Sequence, residues 1–167
     1  MLRILGIDPG SRLTGYGVIE SDGVRSVHLT HGVLRLQGDE LPPRLGQIFD
    51  GICQVIDDYR PTVVAVEQVF VAKNPASALK LGQARGAAIC AGVSRGLQVF
   101  EYTPTRIKQS VVGTGRAEKN QVQHMVQLIL RLAEQPAADA ADALAVALSH
   151  AHAGATLSRF AALVDGG

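Results

Sequence analysis

Apolar runs separated by turn residues dominate the first 36 positions and predict three strands. These runs cover residues 3–8, 14–20 and 24–36, with proline, glycine and aspartate turn residues between them. A β-branched run over residues 63–66, without polar alternation, predicts a fourth strand that is buried on both faces. Residues 97–102 predict a fifth strand.

Helical periodicity accounts for most of the remaining chain. Residues 41–59 place apolar side chains at i, i+3, i+4 and i+7, which is typical of an amphipathic helix. Asn74 and Pro75 suit the N-cap and the first position of a long helix that reaches about Gly92. Three further helices are expected: a short one from Thr103-Pro104 to about Gly113, one bearing Val122, Met125, Val126 and Ile129, and a last one from about Ala137 to His150.

This order of elements predicts an α/β fold with a mixed sheet flanked by helices. The length of 167 residues and the hydrophobic content of 47% fit one domain and exclude a disordered chain. We therefore expect a single domain over residues 1–152, followed by a flexible tail rich in Ala and Gly over residues 153–167.

Several features predict a cytoplasmic location. No apolar run approaches the ~20 residues that span a bilayer, and the N-terminus lacks the pattern of a signal peptide. Cys53 and Cys90 lie in apolar helical patterns, so free thiols are expected rather than a disulfide.

The net charge of +1 conceals an uneven distribution of charge along the chain. Residues 1–72 carry a net charge of −3, residues 73–119 one of +6, and residues 120–167 one of −2. A basic middle segment in a nearly neutral chain indicates one face that binds a polyanion. The alternative, a set of unrelated solvated lysines and arginines, is not excluded by this pattern alone.

Four carboxylates interrupt apolar surroundings. Asp8 and Glu67 each end an apolar strand, and the carboxyl ends of strands form the binding crevice of open α/β sheets. Asp139 and Asp142 lie three residues apart on the last predicted helix and therefore share a face. No other charged residue lies between positions 135 and 158, so this pair has no counter-charge nearby in sequence.

Each carboxylate also has a simpler explanation. Asp8 could be a turn residue before a proline, Glu67 could pair with an arginine, and Asp139 could interact with the helix dipole. The four together are better explained by a site for a hard divalent cation such as Mg²⁺, which prefers oxygen ligands. Beside a basic surface, such a site favours phosphodiester hydrolysis, in which two ions activate water and stabilise the leaving oxygen.

Six segments of the chain resemble one known family. They are residues 6–17 (GIDPGSRLTGYG), 67–70 (EQVF), 78–86 (ALKLGQARG), 109–113 (QSVVG), 117–119 (AEK) and 138–145 (ADAADALA). In this collinear order, from about Arg3 to His150, they closely resemble the bacterial RuvC family of Holliday-junction resolvases.

The resemblance implies a ribonuclease H-like fold with a five-stranded mixed sheet flanked by helices. It also implies a homodimer that makes paired symmetric nicks in four-way junction DNA and works with the RuvA–RuvB branch-migration complex. Water activated by divalent metal, Mg²⁺ or Mn²⁺, would attack the phosphodiester and leave a 5′-phosphate and a 3′-hydroxyl. The small-residue helix that contains Gly82 and Gly86 is the expected dimer contact.

The resemblance also implies roles for individual residues. The catalytic, metal-binding carboxylates would be Asp8, Glu67, Asp139 and Asp142. Some family members have histidine in place of the first helical aspartate, whereas this chain retains the carboxylate. Phe70 would insert or stack at the opened junction, although an aromatic residue in a loop more often folds onto the core. The basic residues expected to bind DNA are Lys108 and Lys119, near the active site, and Arg12, Lys73, Lys80, Arg85 and Arg116.

Two other functional classes compete with a junction nuclease. Residues 6–11 also look like the first phosphate-binding loop of actin-like and sugar-kinase ATPases, but 167 residues leave no room for the second lobe that closes over ATP. A non-catalytic module that binds branched DNA would keep the basic residues without cutting. The presence of all four carboxylates argues against that module.

Overall fold

Five strands and five helices are present in the computed structural model, which describes residues 1–68 and 74–165. The strands are β1 (Leu2–Asp8), β2 (Leu13–Ser21), β3 (Ser26–Arg35), β4 (Val63–Glu67) and β5 (Gln98–Tyr102). The helices are α1 (Leu41–Tyr59), α2 (Pro75–Ser94), α3 (Pro104–Val112), α4 (Lys119–Leu130) and α5 (Ala138–Asp165). All five predicted strands are therefore confirmed.

The strands form one sheet in the order β3-β2-β1-β4-β5. Strand β2 runs antiparallel to both β1 and β3, whereas β1, β4 and β5 are parallel to one another. The predicted mixed sheet is confirmed. Because β1 and β4 are parallel neighbours, their carboxyl ends lie at the same edge of the sheet.

Helices cover both faces of the sheet, and strand β1 shows how its residues divide between them. Leu5 and Ile7 pack with α1 and α2 on one face. Ile4 belongs to the second core, which contains Leu144 and Leu148 of α5 together with residues of α3 and α4. The alternation of side chains along a strand thus builds two hydrophobic layers from one short run.

Glycines let α5 approach the sheet without intervening side chains. A Cβ atom built at Gly6 of β1 would lie 2.0 Å from the carbonyl oxygen of Ala143. One built at Gly15 of β2 would lie 2.0 Å from the carbonyl oxygen of Asp139. Because neither strand carries a side chain at these points, the first two turns of α5 lie directly on the ends of β1 and β2.

Two predicted boundaries are wrong. Helix α5 continues to Asp165, well beyond the predicted end near His150, because Ala, Leu and Ser are compatible with helix and no proline interrupts it. Strand β3 begins at Ser26 rather than at position 24, because the preceding turn is closed by a hydrogen bond from Asp22 N to Arg25 O (3.2 Å). The division of the chain at residue 152 and the flexibility of the tail stay predictions.

Within the described ranges, no helix combines the length and the apolar character needed to cross a membrane. Both cysteines are free thiols, as expected: Cys53 is buried in the core, whereas Cys90 is exposed on α2.

The close approach of α5 can be tested by adding one methyl group. Gly15→Ala is expected to lower the free energy of unfolding by about 1–3 kcal/mol, because the new Cβ would overlap the backbone of α5. Gly46→Ala in α1 is the control, because a Cβ there meets no atom within 4 Å. This substitution should raise the free energy of unfolding by about 0.5–1 kcal/mol. Urea denaturation measures both values, and equal effects of the two substitutions would contradict the close approach.

Candidate active site

Two of the four carboxylates meet at the carboxyl edge of the parallel strands. In the β1–β4 register Ile7 lies beside Val66, and the next residue of each strand is Asp8 or Glu67. Each of these acids follows fully buried apolar residues, and both side chains are half-buried. The strand pairing therefore brings together two carboxylates that are 59 positions apart in sequence.

Helix α5 brings the second pair to the same edge. Its backbone contacts Gly15 at Asp139 and Gly6 at Ala143, so its first turns lie over the end of β1. Asp142 lies between these two contact points and is half-buried. Leu144 of the same helix is fully buried in the core that contains Ile4 of β1.

Burial and neighbouring charges shift the pKa values of three of these carboxylates, Asp8, Glu67 and Asp142. Burial raises the pKa of Asp8 to about 8, and repulsion from Asp142, Glu67 and Asp139 adds to this effect. Burial also raises the pKa of Glu67, with a further contribution from Asp142. Without a bound cation, the fold therefore favours the protonated form of Asp8 near neutral pH.

Lys119 supplies a positive charge to this cluster. Its Nζ lies 3.3 Å from Oδ2 of Asp142, and the Lys119 side chain remains 61% exposed. Attraction to Asp142 raises the pKa of Lys119, while Lys119 in turn opposes the upward shift that burial causes in the pKa of Asp142. The lysine is the first residue of α4, and Oε1 of Gln121 accepts a hydrogen bond from Glu118 N (2.7 Å) just before it.

A small cavity joins the carboxylates to the basic segment. It has a volume of about 180 Å³ and is lined by Glu67, Lys108, Lys119 and Asp142, together with apolar residues of α3, α4 and α5. The prediction that both lysines lie near the carboxylates is therefore supported by their positions. Lys108 also lowers the pKa of Glu67, opposing the effect of burial.

The donor set fits hard divalent cations, because carboxylate oxygens are the ligands that such ions prefer. Among the residues that the structure describes, however, no three His, Cys, Asp or Glu side chains converge closely enough to hold an ion as they stand. One oxygen of Asp142 is bound to Lys119. The side chains would therefore have to move for their oxygens to surround a cation.

Two further residues hold the loop that follows Asp8. Thr14 is fully buried; its hydroxyl donates to Gly10 O (2.9 Å) and accepts from Gly10 N (3.2 Å). Arg44, only 3% exposed, donates from Nη1 to Ser11 O (2.8 Å). Sequence reasoning missed both residues, because a threonine in a strand and an arginine in an amphipathic helix give no local signal of such contacts.

Arg85 is not a free cation in this structure. Its guanidinium forms an ion pair with Glu101, and its Nε donates to the carbonyl oxygen of Glu67 (3.2 Å). The arginine thus holds the backbone of a site residue, and it pairs with a carboxylate other than that of Glu67. DNA binding by Arg85 stays a prediction that would require the ion pair to open.

The other residues predicted to bind DNA are either exposed or outside the described part of the chain. Arg12, Lys80 and Arg116 are exposed, but the structure does not test their binding to DNA. Phe70 and Lys73 lie outside the described residues.

His150 does not reach the carboxylates. Its Nδ1 lies 2.6 Å from the hydroxyl oxygen of Tyr102, and its ring packs on Phe100 with centroids 4.6 Å apart. Burial lowers its pKa, so the neutral form is favoured. His150 is therefore a core residue beneath β5.

The raised pKa of Asp8 predicts an unusual dependence of stability on pH. Between the unfolded pKa of 3.8 and the folded value of about 8, the folded protein binds more protons than the unfolded chain. The free energy of unfolding without metal should therefore fall from pH 5 to pH 8, by up to about 1.4 kcal/mol per pH unit. Asp8→Asn should reduce this slope.

Urea denaturation in EDTA at several pH values measures the effect. Asp22→Asn is the matched control, because backbone hydrogen bonds lower the pKa of Asp22 and its titration therefore lies below this pH range. Identical slopes for the parent and Asp8→Asn would contradict the crowded-carboxylate description.

Comparisons with known proteins identify a family that matches most of this chain. Residues 4–150 match the family described as crossover junction endodeoxyribonuclease RuvC. The protein of that description from Pseudoalteromonas atlantica is 60% identical over 164 residues, covering 98% of this chain and 95% of the relative. The one from Tolumonas auensis is 57% identical over 166 residues, covering 99% and 96%.

A solved structure extends the agreement to the fold. Thermus thermophilus RuvC, in complex with a Holliday junction substrate, superposes with a TM-score of 0.87 at 34% identity, covering 93% of this chain and 96% of that one. The predicted ribonuclease H-like fold is thereby confirmed. The sequence match, its coverage of almost the whole chain and the shared fold lead to one conclusion: the chain belongs to the RuvC family of crossover junction endodeoxyribonucleases.

Proposed function

We propose that Asp8, Glu67, Asp139 and Asp142 are the catalytic carboxylates of this nuclease and bind two divalent ions, Mg²⁺ or Mn²⁺. The observation that carries the proposal is the convergence of the carboxylates at one sheet edge, where burial and then repulsion from Asp142, Glu67 and Asp139 raise the pKa of Asp8 to about 8. Holding four acids together destabilises the folded protein. Cations that neutralise these acids would therefore stabilise it. Divalent metal dependence is general in this family of nucleases, and the residue assignment is specific to this chain.

When bound, such ions would supply a nucleophile at neutral pH and offset charge on the scissile phosphate and the leaving oxygen. The protein's own groups position the substrate around them. Lys119 is exposed beside Asp142 and can bind a phosphate oxygen, while Lys108 offers a second cation in the same cavity. Thr14 and Arg44 hold the loop after Asp8, which keeps that carboxylate at the end of β1.

We further propose that the DNA is a four-way junction and that the protein acts as a homodimer. The Thermus thermophilus relative is in complex with a Holliday junction substrate, and a two-fold symmetric dimer would match the symmetry of such a junction. Helix α2 offers a surface for self-association, because Leu79 is 70% exposed and a Cβ built at Gly82 or Gly86 meets no atom within 4 Å. Binding to a RuvA–RuvB complex and a cytoplasmic location stay predictions.

A non-catalytic junction-binding module, the alternative function, would bind a four-way junction without cutting it. Cleavage of a movable synthetic four-way junction should be compared with that of linear duplex of the same sequence, in Mg²⁺ and in EDTA. Paired symmetric nicks in the junction only, abolished by EDTA, are expected. Tight binding without nicks under any divalent metal would support the binding module instead, and equal cutting of both substrates would remove the junction selectivity.

The role of Asp8 can be separated from DNA binding. Asp8→Asn should slow cleavage by more than about 100-fold, because it removes a proposed ligand and even residues that only orient ligands cost 10–100-fold. Junction affinity, measured by gel shift in EDTA, should change little. Loss of binding by a folded variant would show that Asp8 is structural.

Lys119 should contribute one phosphate contact. Lys119→Ala should lower the slope of log Kd against log salt concentration by about one unit in junction binding. Lys119→Arg keeps the charge and serves as the matched control with the parental slope. An unchanged slope for the alanine variant would show that Lys119 contacts Asp142 and solvent and does not contact a phosphate.

A further inference from the structure

A second, larger cleft lies along the edge of the sheet formed by β3. It has a volume of about 900 Å³ and is lined by residues 24–28, His31 and residues 129–137. One wall is β3 with its preceding turn, and the other is the segment that returns from the end of α4 to the start of α5. None of the carboxylates proposed for catalysis lines this cleft.

One end of the cleft lies close in sequence to the proposed active site, and its β3 wall lies toward the end of that strand away from the carboxylates. Its lining includes Ala137, two residues before Asp139. The register of β2 with β3 gives the direction, because Thr14 near the carboxylates pairs with Leu34, whereas Glu20 at the far end pairs with Val27. The seven steps along β3 from Leu34, level with the carboxylates, to Val27 in the cleft span about 24 Å at ~3.4 Å each, equal to about seven base pairs of duplex DNA.

A β-bulge turns two histidines into this cleft. In β2, Val18 pairs with Thr30 and Ile19 pairs with His28, so Leu29 is an extra residue in β3. Residues three apart in a regular strand point to opposite faces, but the extra residue places both histidines on one face. Nε2 of His28 lies 2.8 Å from Nδ1 of His31. One ring proton lies between these two nitrogens, so the neutral pair offers one further N–H donor to a ligand in the cleft.

The charged side chains of the cleft favour an anion. Arg25 and Arg131 line its two walls, and both are exposed. In the part of the chain that the structure describes, neither arginine forms an ion pair, although Asp22 lies near Arg25. Glu134 is the one carboxylate in the lining, and it also is exposed. Two exposed guanidinium groups and one imidazole N–H along one groove match the spaced phosphates of a nucleic-acid backbone.

We propose that this cleft binds backbone phosphates of the junction arm that leaves the active site alongside β3. The inference rests on the proposed function, because it names a further contact of the same substrate. It assigns DNA contacts to Arg25 and Arg131, which lie outside the basic segment of residues 73–119.

The test compares a double variant with a single-substitution control that shares the change from arginine to glycine. Arg25→Ala combined with Arg131→Gly removes both proposed contacts, and the glycine suits the left-handed backbone of Arg131 (φ 53°). The control is Arg60→Gly, because Arg60 has the same backbone conformation (φ 50°) after α1 and does not line the cleft. Junction binding is measured in EDTA, on arms of about 15 base pairs, over a range of salt concentrations.

The double variant should lower the salt slope by about two units, whereas the control should keep the parental slope. Glu134→Gln should bind more tightly than the parent, since it removes the one carboxylate of the lining. When the arms are shortened to about five base pairs and closed by hairpins, the difference between the double variant and the parent should disappear.

The proposal is overturned if the double variant keeps the slope of the control, or if its weakening is the same on short and long arms. These results are distinguishable from failure of the proposed function, in which the parent itself would neither bind nor cut the junction. Urea denaturation of both variants excludes unfolding as the cause of weaker binding.

Discussion

Burial of carboxylates at one edge of the sheet, opposed by the apolar packing of one helix, is the constraint on which the site depends. The carboxylates come from two strands and a helix. Burial raises the pKa of Asp8, Glu67 and Asp142, and repulsion from a neighbouring carboxylate adds to each shift. The absence of side chains at Gly6 and Gly15 lets α5 lie close to the sheet, which places its aspartates beside the strand ends. The free energy that opposes the repulsion comes from the buried apolar residues of α5, including Leu144 and Leu148.

The surrounding polar contacts follow from this constraint. Lys119 partly balances the charge at Asp142 while remaining exposed enough to exchange partners. Arg85 donates to the backbone of Glu67, which leaves that carboxylate available for other partners. Arg44 forms hydrogen bonds to carbonyl oxygens and adds no salt bridge to the cluster. These cations therefore support the site without neutralising it, as a cation-binding site requires.

Much of the fold could be predicted because its signals are local. Three of these signals come from residues that are close together in sequence. They are the β-branched run of β4, the proline at the start of α2 and the apolar stripe of α1. The position of the carboxylates at strand ends and on one helix face could be predicted in the same way. The end of α5 was predicted wrongly, since a stretch rich in alanine does not show where a helix stops.

The features that sequence reasoning missed all depend on distant contacts. The ion pair of Lys119 with Asp142 joins two helices, and the burial of Arg44 depends on the loop after β1. The bulge at Leu29 has no residue signature, because leucine is common in regular strands. Such contacts arise from the packing of whole elements, which spacing along the chain does not specify.

The central claim is that the fold holds four acids together for cations. Calorimetric titration of the metal-free protein with Mn²⁺ near pH 7.5, in buffers of different ionisation enthalpy, tests it most directly. The account predicts two ions bound per chain with release of about one proton, because Asp8 is largely protonated beforehand. It also predicts that Asp8→Asn loses most of the affinity for Mn²⁺ and most of the proton release that accompanies Mn²⁺ binding. Equal Mn²⁺ affinity and equal proton release in the parent and Asp8→Asn would contradict it.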